Sequence, residues 1–174
     1  MSCIQSITGI AKDCSSNMGG IVEAYIISRE QIDSFNVVDG KVTGVIVGQQ
    51  SYRFMRYFFP RNTGNLVSTY NIDLAAGTKY VSSDLTLYFN RMETSKRVEI
   101  MALAQGYLTV IVKDANGKYW LLGKEDGASA SQAGGETGTN RADSNRYSIT
   151  IHDESEELPL EVEYSAFENL IFEN

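Results

Sequence analysis

At three places along the chain, two apolar runs rich in β-branched and aromatic residues flank a segment that reverses direction. These are Val37-Val38-Asp39-Gly40-Lys41-Val42, the Ala75-Ala76-Gly77 turn, and Asp114-Ala115-Asn116-Gly117. Asp-Gly and Asn-Gly tolerate the positive φ values that tight hairpins need, so each pair fixes a local antiparallel reversal. The runs themselves carry the period of strands. Leu66, Ser68, Tyr70, Ile72 and Leu74 alternate with Val67, Thr69, Asn71 and Asp73, and Leu85, Leu87 and Phe89 alternate with Asp84, Thr86 and Tyr88. That is a period of two, and the spacing predicts one extended hairpin. Ile21–Ser28 is apolar on both faces except at Glu23, and both arms of the Asn116-Gly117 hairpin (108–113 and 118–122) are apolar on both faces. Strands of that kind belong in the middle of a wall covered on two sides.

Weaker strand signals lie at Val42–Val47, at Tyr52–Phe59 up to Pro60, and at Tyr147–Ile151. Arg53 and Arg56 interleave with the aromatics of the second of these, a pattern that a strand with mixed faces explains more simply than a single-strand nucleic-acid platform does. Leu158, Leu160, Val162 and Tyr164 also alternate, and Pro159 predicts an edge strand there. A short, helical turn is expected over Glu30–Ser34. The fold class that follows is mainly β, an antiparallel sandwich or barrel with one flanking α-helix near residues 91–105.

That helix is expected to start at Asn90 as cap, with Glu93 completing a capping box and Gly106 closing the last turn. Glu93 and Arg97 are spaced for an i,i+4 pair. Its second half is unusual, because Val98, Ile100, Met101, Ala102, Leu103 and Ala104 surround Glu99 as the only charge. At about 100° per residue these positions cover most of the circumference. The helix is therefore expected to be covered on two sides, by its own sheet and by something else.

The remaining segments bound the organisation. Residues 1–20 read as an irregular, flexible arm with Ile4, Ile7 and Ile10 available for docking, followed by one domain over 21–174. Gly123–Arg146 is dominated by Gly, Ala, Ser, Thr and Asn and reads as a long loop over 123–146. Phe167–Phe172 is amphipathic, suited to docking on another chain. The first residues lack a basic-then-apolar secretion pattern, and no apolar run approaches the roughly 20 residues of a membrane span. Synthesis in a cytoplasm and no membrane association are the expectations. Cys3 and Cys14 fit no zinc spacing and read as reduced thiols, one or both packed in a core.

Charge is distributed unevenly. Residues 1–100 hold ten Lys+Arg against nine Asp+Glu, whereas residues 101–174 hold five against thirteen. From Asp153 onward there are eight acids and no base. Gripping nucleic acid without regard to sequence needs clustered cations, so specific nucleic-acid binding is not expected. No motif for a phosphate loop, dinucleotide fold or zinc hydrolase occurs, and the single histidine, His152, has no nameable nucleophile. No catalytic, cofactor-binding or metal-ligating residues are assigned, and no enzyme is expected.

Three stretches resemble a known group. Asp13-Cys14 through Asn17-x-Gly19-Gly20-Ile21 leading into a strand, Lys96-Arg97 with Ala102-Leu103-Ala104-Gln105 on the helix, and Gly117-Lys118-Tyr119-Trp120-Leu121-Leu122-Gly123 are similar to tail-tube-like and ring structural proteins of tailed phages of Bacteroides and relatives, the crAss-like group included. The likeness runs from about Asp13 to Ile151. It implies a tail-tube-like β-sandwich or barrel that forms a homo-oligomeric ring, hexameric or larger, around a lumen through which DNA passes, touching adjacent tail or neck proteins. The implied place is the virion tail, with assembly in the host cytoplasm. Subunit contacts are expected at Val98, Met101, Ala102, Gly134, Gly135, Arg141, Phe167 and Phe172. The acids Asp153, Glu154, Glu156 and Glu157 are expected to face the lumen and repel phosphate. Alternatives are a neck or head-completion ring and, in a different class, a carbohydrate-binding adhesion module with Trp120 as a stacking platform.

Overall fold

The structure is a computed structural model that describes residues 7–173. It is mainly β, with two sheets, one α-helix among the described residues and no closed barrel. The strands are β1 (Ile21–Ser28), β2 (Ile32–Val38), β3 (Lys41–Val47), β4 (Met55–Phe58), β5 (Asn65–Asp73) and β6 (Thr78–Asn90). After α1 (Thr94–Leu103) come β7 (Leu108–Asp114), β8 (Tyr119–Leu122), β9 (Ser129–Glu136), β10 (Arg146–Ser155) and β11 (Glu161–Val162). The larger sheet has the order β2-β3-β11-β8-β7-β1-β4 and the smaller one β5-β6-β10-β9. Every strand pair is antiparallel except β11 with β3.

Hairpin chemistry set these pairings. Asp39 and Gly40 take φ of 51° and 74°, the two positive values of the tight turn joining β2 to β3. The β5–β6 hairpin pairs from Asn65 opposite Thr86 to Asp73 opposite Thr78, and the Asp73 carboxylate accepts the N–H groups of Ala75 and Ala76 to fix its turn. Asp114 serves the β7–β8 turn the same way, accepting N–H groups from Asn116 and Lys118.

The sheets are joined at two corners. Ile21, at the start of β1, bridges Gly64 just before β5; Leu108, which pairs with Ser28 at the end of β1, bridges Ala128 just before β9. Because β5 and β9 are opposite edges of the small sheet, β1 runs across that sheet from edge to edge, so the two sets of strands cross, with strand-switching corners. Between them lies a core of Ala24, Ile26, Leu85, Leu87, Val110, Val112, Ile149 and Ile151. The other face of the large sheet carries a second core, with Tyr25, Ile27, Phe54, Ile111, Leu121, Val162 and Phe167. The central strands are thus apolar on both faces because both faces are covered.

Several expectations need correction. The segment 123–146 is not one loop: β9 lies within it, paired to β10 from Ser129 to Glu136. Its Ala, Gly and Ser side chains give no apolar signal, and the strand is held by backbone pairing, with the Tyr147 ring against Gly135. The stretch 158–164 is not an edge strand. Only Glu161 and Val162 pair, and they lie between β3 and β8, while the Leu160 carbonyl accepts the Leu121 N–H. Pro159 forbids a donor just before this pairing begins, and it marks the start of the strand rather than an exposed edge. The 167–172 segment docks on its own chain. Phe54 donates its N–H to Leu170 and accepts that of Phe172, and Phe167 is 1% exposed. Asn90 ends β6, and Glu93 occupies the N-cap of α1 without a side-chain cap bond. Glu93 pairs with Lys96 at 2.5 Å, one residue before the expected partner Arg97. The only turn with helical hydrogen bonding near residue 30 is Arg29–Gln31. Cys14 is exposed on the arm, not packed in a core, and Cys3 lies outside the described residues.

Candidate functional site

Open grooves gather at the root of the arm. One, of 430 Å³, is lined by Met18, Gly20, Leu66, Trp120, Leu158 and Pro159; its acid is Asp114. A neighbouring one of 830 Å³ includes Glu23, Phe58, Phe59 and Arg61. In both, the acidic groups are already committed. Asp114 Oδ2 accepts the indole N–H of Trp120 at 2.9 Å while Oδ1 holds the turn. Glu23 accepts Arg56 Nη2 at 2.9 Å and the Tyr25 hydroxyl. Burial alone would push the Glu23 carboxyl up, but these hydrogen bonds and the charge of Arg56 hold it below the usual carboxylate range. Burial and the adjacent Glu23 push the Tyr25 hydroxyl well above its ordinary value. Neither acid is free to move a proton to a ligand, so the grooves offer shape and apolar surface.

The second feature is the small sheet itself. Its order β5-β6-β10-β9 leaves β5 and β9 as edges, nine and eight residues long, each with an acid only at its last position. Such edges expose unpaired backbone groups, and natural edges are normally guarded by lysine, proline or a covering loop. Apolar side chains follow the β5 edge, with Val67 on the outer face and Tyr70 and Ile72 on the core-side face; all three are about half exposed. The outer face is polar. Ser82, Asp84, Thr86 and Tyr88 alternate with the buried residues of β6, and Ser148, Thr150, His152 and Glu154 do so on β10. His152 Nδ1 lies 2.8 Å from Asp84 Oδ1, and this contact raises its pKa above the ordinary histidine value.

The third is α1. Ile100 and Leu103 pack into the inter-sheet core, and Glu99 takes the Tyr57 hydroxyl from β4. Met92, just before the helix, lies against Gly135 on the core side of β9. The opposite face of α1 is bare: Val98 is 57% and Met101 51% exposed, and Ala102 is exposed beside them. The helix is covered on one side by its own sheets, and its outer face keeps the apolar composition that suggested a second cover.

Among the expected contact residues, Val98, Met101 and Ala102 share that face, Gly134 and Gly135 lie on the open β9 edge, and Arg141 is exposed in the β9–β10 connection. Phe172 is 46% exposed beside Phe54. Phe167 is the centre of an aromatic cluster with Tyr25, Phe54 and Tyr119, so it is a core residue and not a contact. Of the acids, Glu154 lies on the polar outer face and Glu156 and Glu157 are exposed just beyond β10. Asp153 points the other way and is 6% exposed, so it cannot face a lumen; burial pushes its carboxyl up, and the Gly123 N–H partly offsets this. Trp120 is half buried against the inter-sheet core. The β5 edge escaped the sequence reading, although Val67, apolar in the polar phase of its strand, was its signal.

No known protein family, no curated protein and no solved structure matches this chain. Among the described residues no group of three or more His, Cys, Asp or Glu is arranged to hold a metal ion, and no helix is long and apolar enough to cross a membrane.

Proposed function

We propose that this protein is a self-assembling structural subunit whose small sheet continues from copy to copy, and that the assembly is a tail-tube or tail-ring layer of a phage virion. One observation carries the assembly reading. With β5 taken as running up, β6 runs down, β10 up and β9 down, and neither outer strand has a further strand partner among the described residues. An even number of alternating strands lets β9 of one copy meet β5 of the next in antiparallel fashion, in a head-to-tail contact that can close into a ring. Pairing along the full length of both edges requires adjacent copies to be offset by about four residues, the kind of stagger that tilted strands impose on a closed wall.

In such a wall the hydroxyl-rich outer face of the small sheet, with Asp84 and Glu154, faces the lumen. A surface with few cations passes DNA without holding it. The tail assignment rests on the sequence resemblance and on this fit to it.

Sedimentation of the purified chain with negative-stain imaging tests the reading. Rings or tubes are expected, and the double substitution Val67→Lys, Ile72→Lys should return a folded monomer, because charge on an edge strand opposes pairing. A wild-type chain that stays monomeric at high concentration would overturn it.

A further inference from the structure

The bare face of α1 and the groove beside Trp120 have so far been two separate anomalies. Each is apolar, each is open, and neither is filled by the described residues. They sit at opposite edges of one sheet and on the same side of it. Met92 and Ile100 place the helix on the core side of β9 and β10. Leu66 and Ser68 pair with the buried residues Leu85 and Ser83, so the groove that they line lies on the core side of β5.

A sheet that continues across copies keeps its two sides distinct. When β9 of one copy pairs with β5 of the next, everything on the core side of β9 is carried toward the core side of β5. We infer that the outer face of α1, led by Val98 and Met101, packs into the Trp120–Leu158 groove of the neighbouring copy. This rests on the assembly reading above and deepens it by naming the side-chain contact that would hold the copies together.

Charge agrees with this pairing. Arg97 accompanies Val98 on the helix and has no ion-pair partner among the described residues. Leu158 in the groove is preceded by Glu156 and Glu157, and Asp114 lies at its wall. Glu157 already meets Lys124, whereas Glu156 has no cationic partner and adds to the crowding that, after burial, raises the Glu125 pKa. A guanidinium arriving with the helix would relieve that crowding. An apolar centre ringed by opposite charges is the usual anatomy of a specific contact.

The test uses the full chain with Cys3→Ser and Cys14→Ser, which removes the native thiols. Met101→Cys and Leu158→Cys in one chain should give a ladder of disulfide-linked multimers on mild oxidation, and an equimolar mixture of the two single variants should give linked dimers. In the native background, Met101→Glu should weaken association by about tenfold or more while leaving the melting temperature of the subunit unchanged. Wild-type assembly that survives Met101→Glu and Leu158→Glu, with no cross-linking, would overturn the helix–groove contact and leave edge pairing standing. A wild-type monomer would overturn both.

Discussion

The two sheets of this molecule use the same chemistry to opposite ends. In the large sheet, the central strands are sealed on both faces by residues of the same chain: the small sheet on one side, and on the other the C-terminal segment, with Phe167 wedged among Tyr25, Phe54 and Tyr119. Among the described residues, the small sheet has only one face sealed and both edges open, and the hairpin between β5 and β6 leaves Tyr70, Ile72 and Leu74 exposed. Under the proposed assembly, the difference separates the residues that hold the fold from those that would hold copies together. A substitution in the large sheet should change folding, whereas one on the edges of the small sheet should change association and little else.

The largest effect is expected at the corner that joins the two. Gly123 has φ of 71°, and a Cβ there would lie 2.2 Å from the Leu108 carbonyl oxygen and 2.7 Å from the Ala128 nitrogen. Those backbone atoms hydrogen-bond to each other and cannot retreat separately. Gly123→Ala should cost about 4 kcal/mol or more in urea unfolding or abolish folding, since steric overlap adds to a strained φ. Gly117→Ala, at φ of 82° but with nothing within 4 Å, should cost only about 1 kcal/mol. Equal costs at the two sites would mean that the corner is not rigid. Phe167→Ala comes next. It removes a ring that is 1% exposed and should lower unfolding free energy by about 3–5 kcal/mol. A mild effect would show that the C-terminal segment is not the second cover of the large sheet.

What could be read in advance follows the same division. Both-face apolar strands announced the large sheet because burial on two sides leaves a mark at every position, as in Val110, Ile111 and Val112. Asp39-Gly40 and Asn116-Gly117 fixed two hairpins for equally local reasons. β9 was invisible because what holds it is mostly backbone: Gly134 and Gly135 carry no side chain to leave a pattern. The fate of Phe167 was also illegible. An amphipathic terminal segment looks the same whether its apolar side meets its own chain or another, and only the position of Phe54 decides. For the same reason the bare face of α1 was detectable as excess apolar surface, while its direction relative to the β5 groove needed the fold.

pH dependence gives a finer contrast, because a titrating cluster on each sheet carries the opposite sign. On the large sheet Glu23 is held below its ordinary pKa, with the pull of Arg56 and Tyr25 exceeding the push of burial. The folded chain therefore binds this proton less readily than the unfolded chain. The stabilisation is present above the unfolded value of 4.5 and is lost as pH falls through the folded one. Glu23→Gln should cost about 1–2 kcal/mol at pH 7, discounted because the Arg56 side chain is 39% exposed. The gap from wild type should close as the pH is lowered. A gap independent of pH would mean that packing, not charge, is what Glu23 contributes.

On the small sheet the sign reverses. His152 Nδ1–H donates to the Asp84 carboxylate at 2.8 Å, and after this hydrogen bond the neighbouring Glu154 adds to an upward shift from 6.5. A base with a raised folded pKa stabilises the fold fully below its unfolded value, and that contribution disappears as the pH climbs through the folded one. Wild type should thus lose a little stability between pH 6 and pH 8 that Asp84→Asn does not lose. The two melting temperatures should differ at pH 6 and converge at pH 8. An exposed pair of this kind is worth about 0.5 kcal/mol, so the comparison must be made as a difference between the two proteins, in which every other titrating group cancels. If the chain assembles with this face inward, the same pair becomes enclosed with its counterparts from neighbouring copies. Crowded by Glu154 of every subunit, His152 should then hold its proton to higher pH in the assembly than in the Val67→Lys, Ile72→Lys monomer. NMR titration of this single histidine would read the shift directly, and identical titration curves would mean that the polar face of the small sheet stays in open solvent.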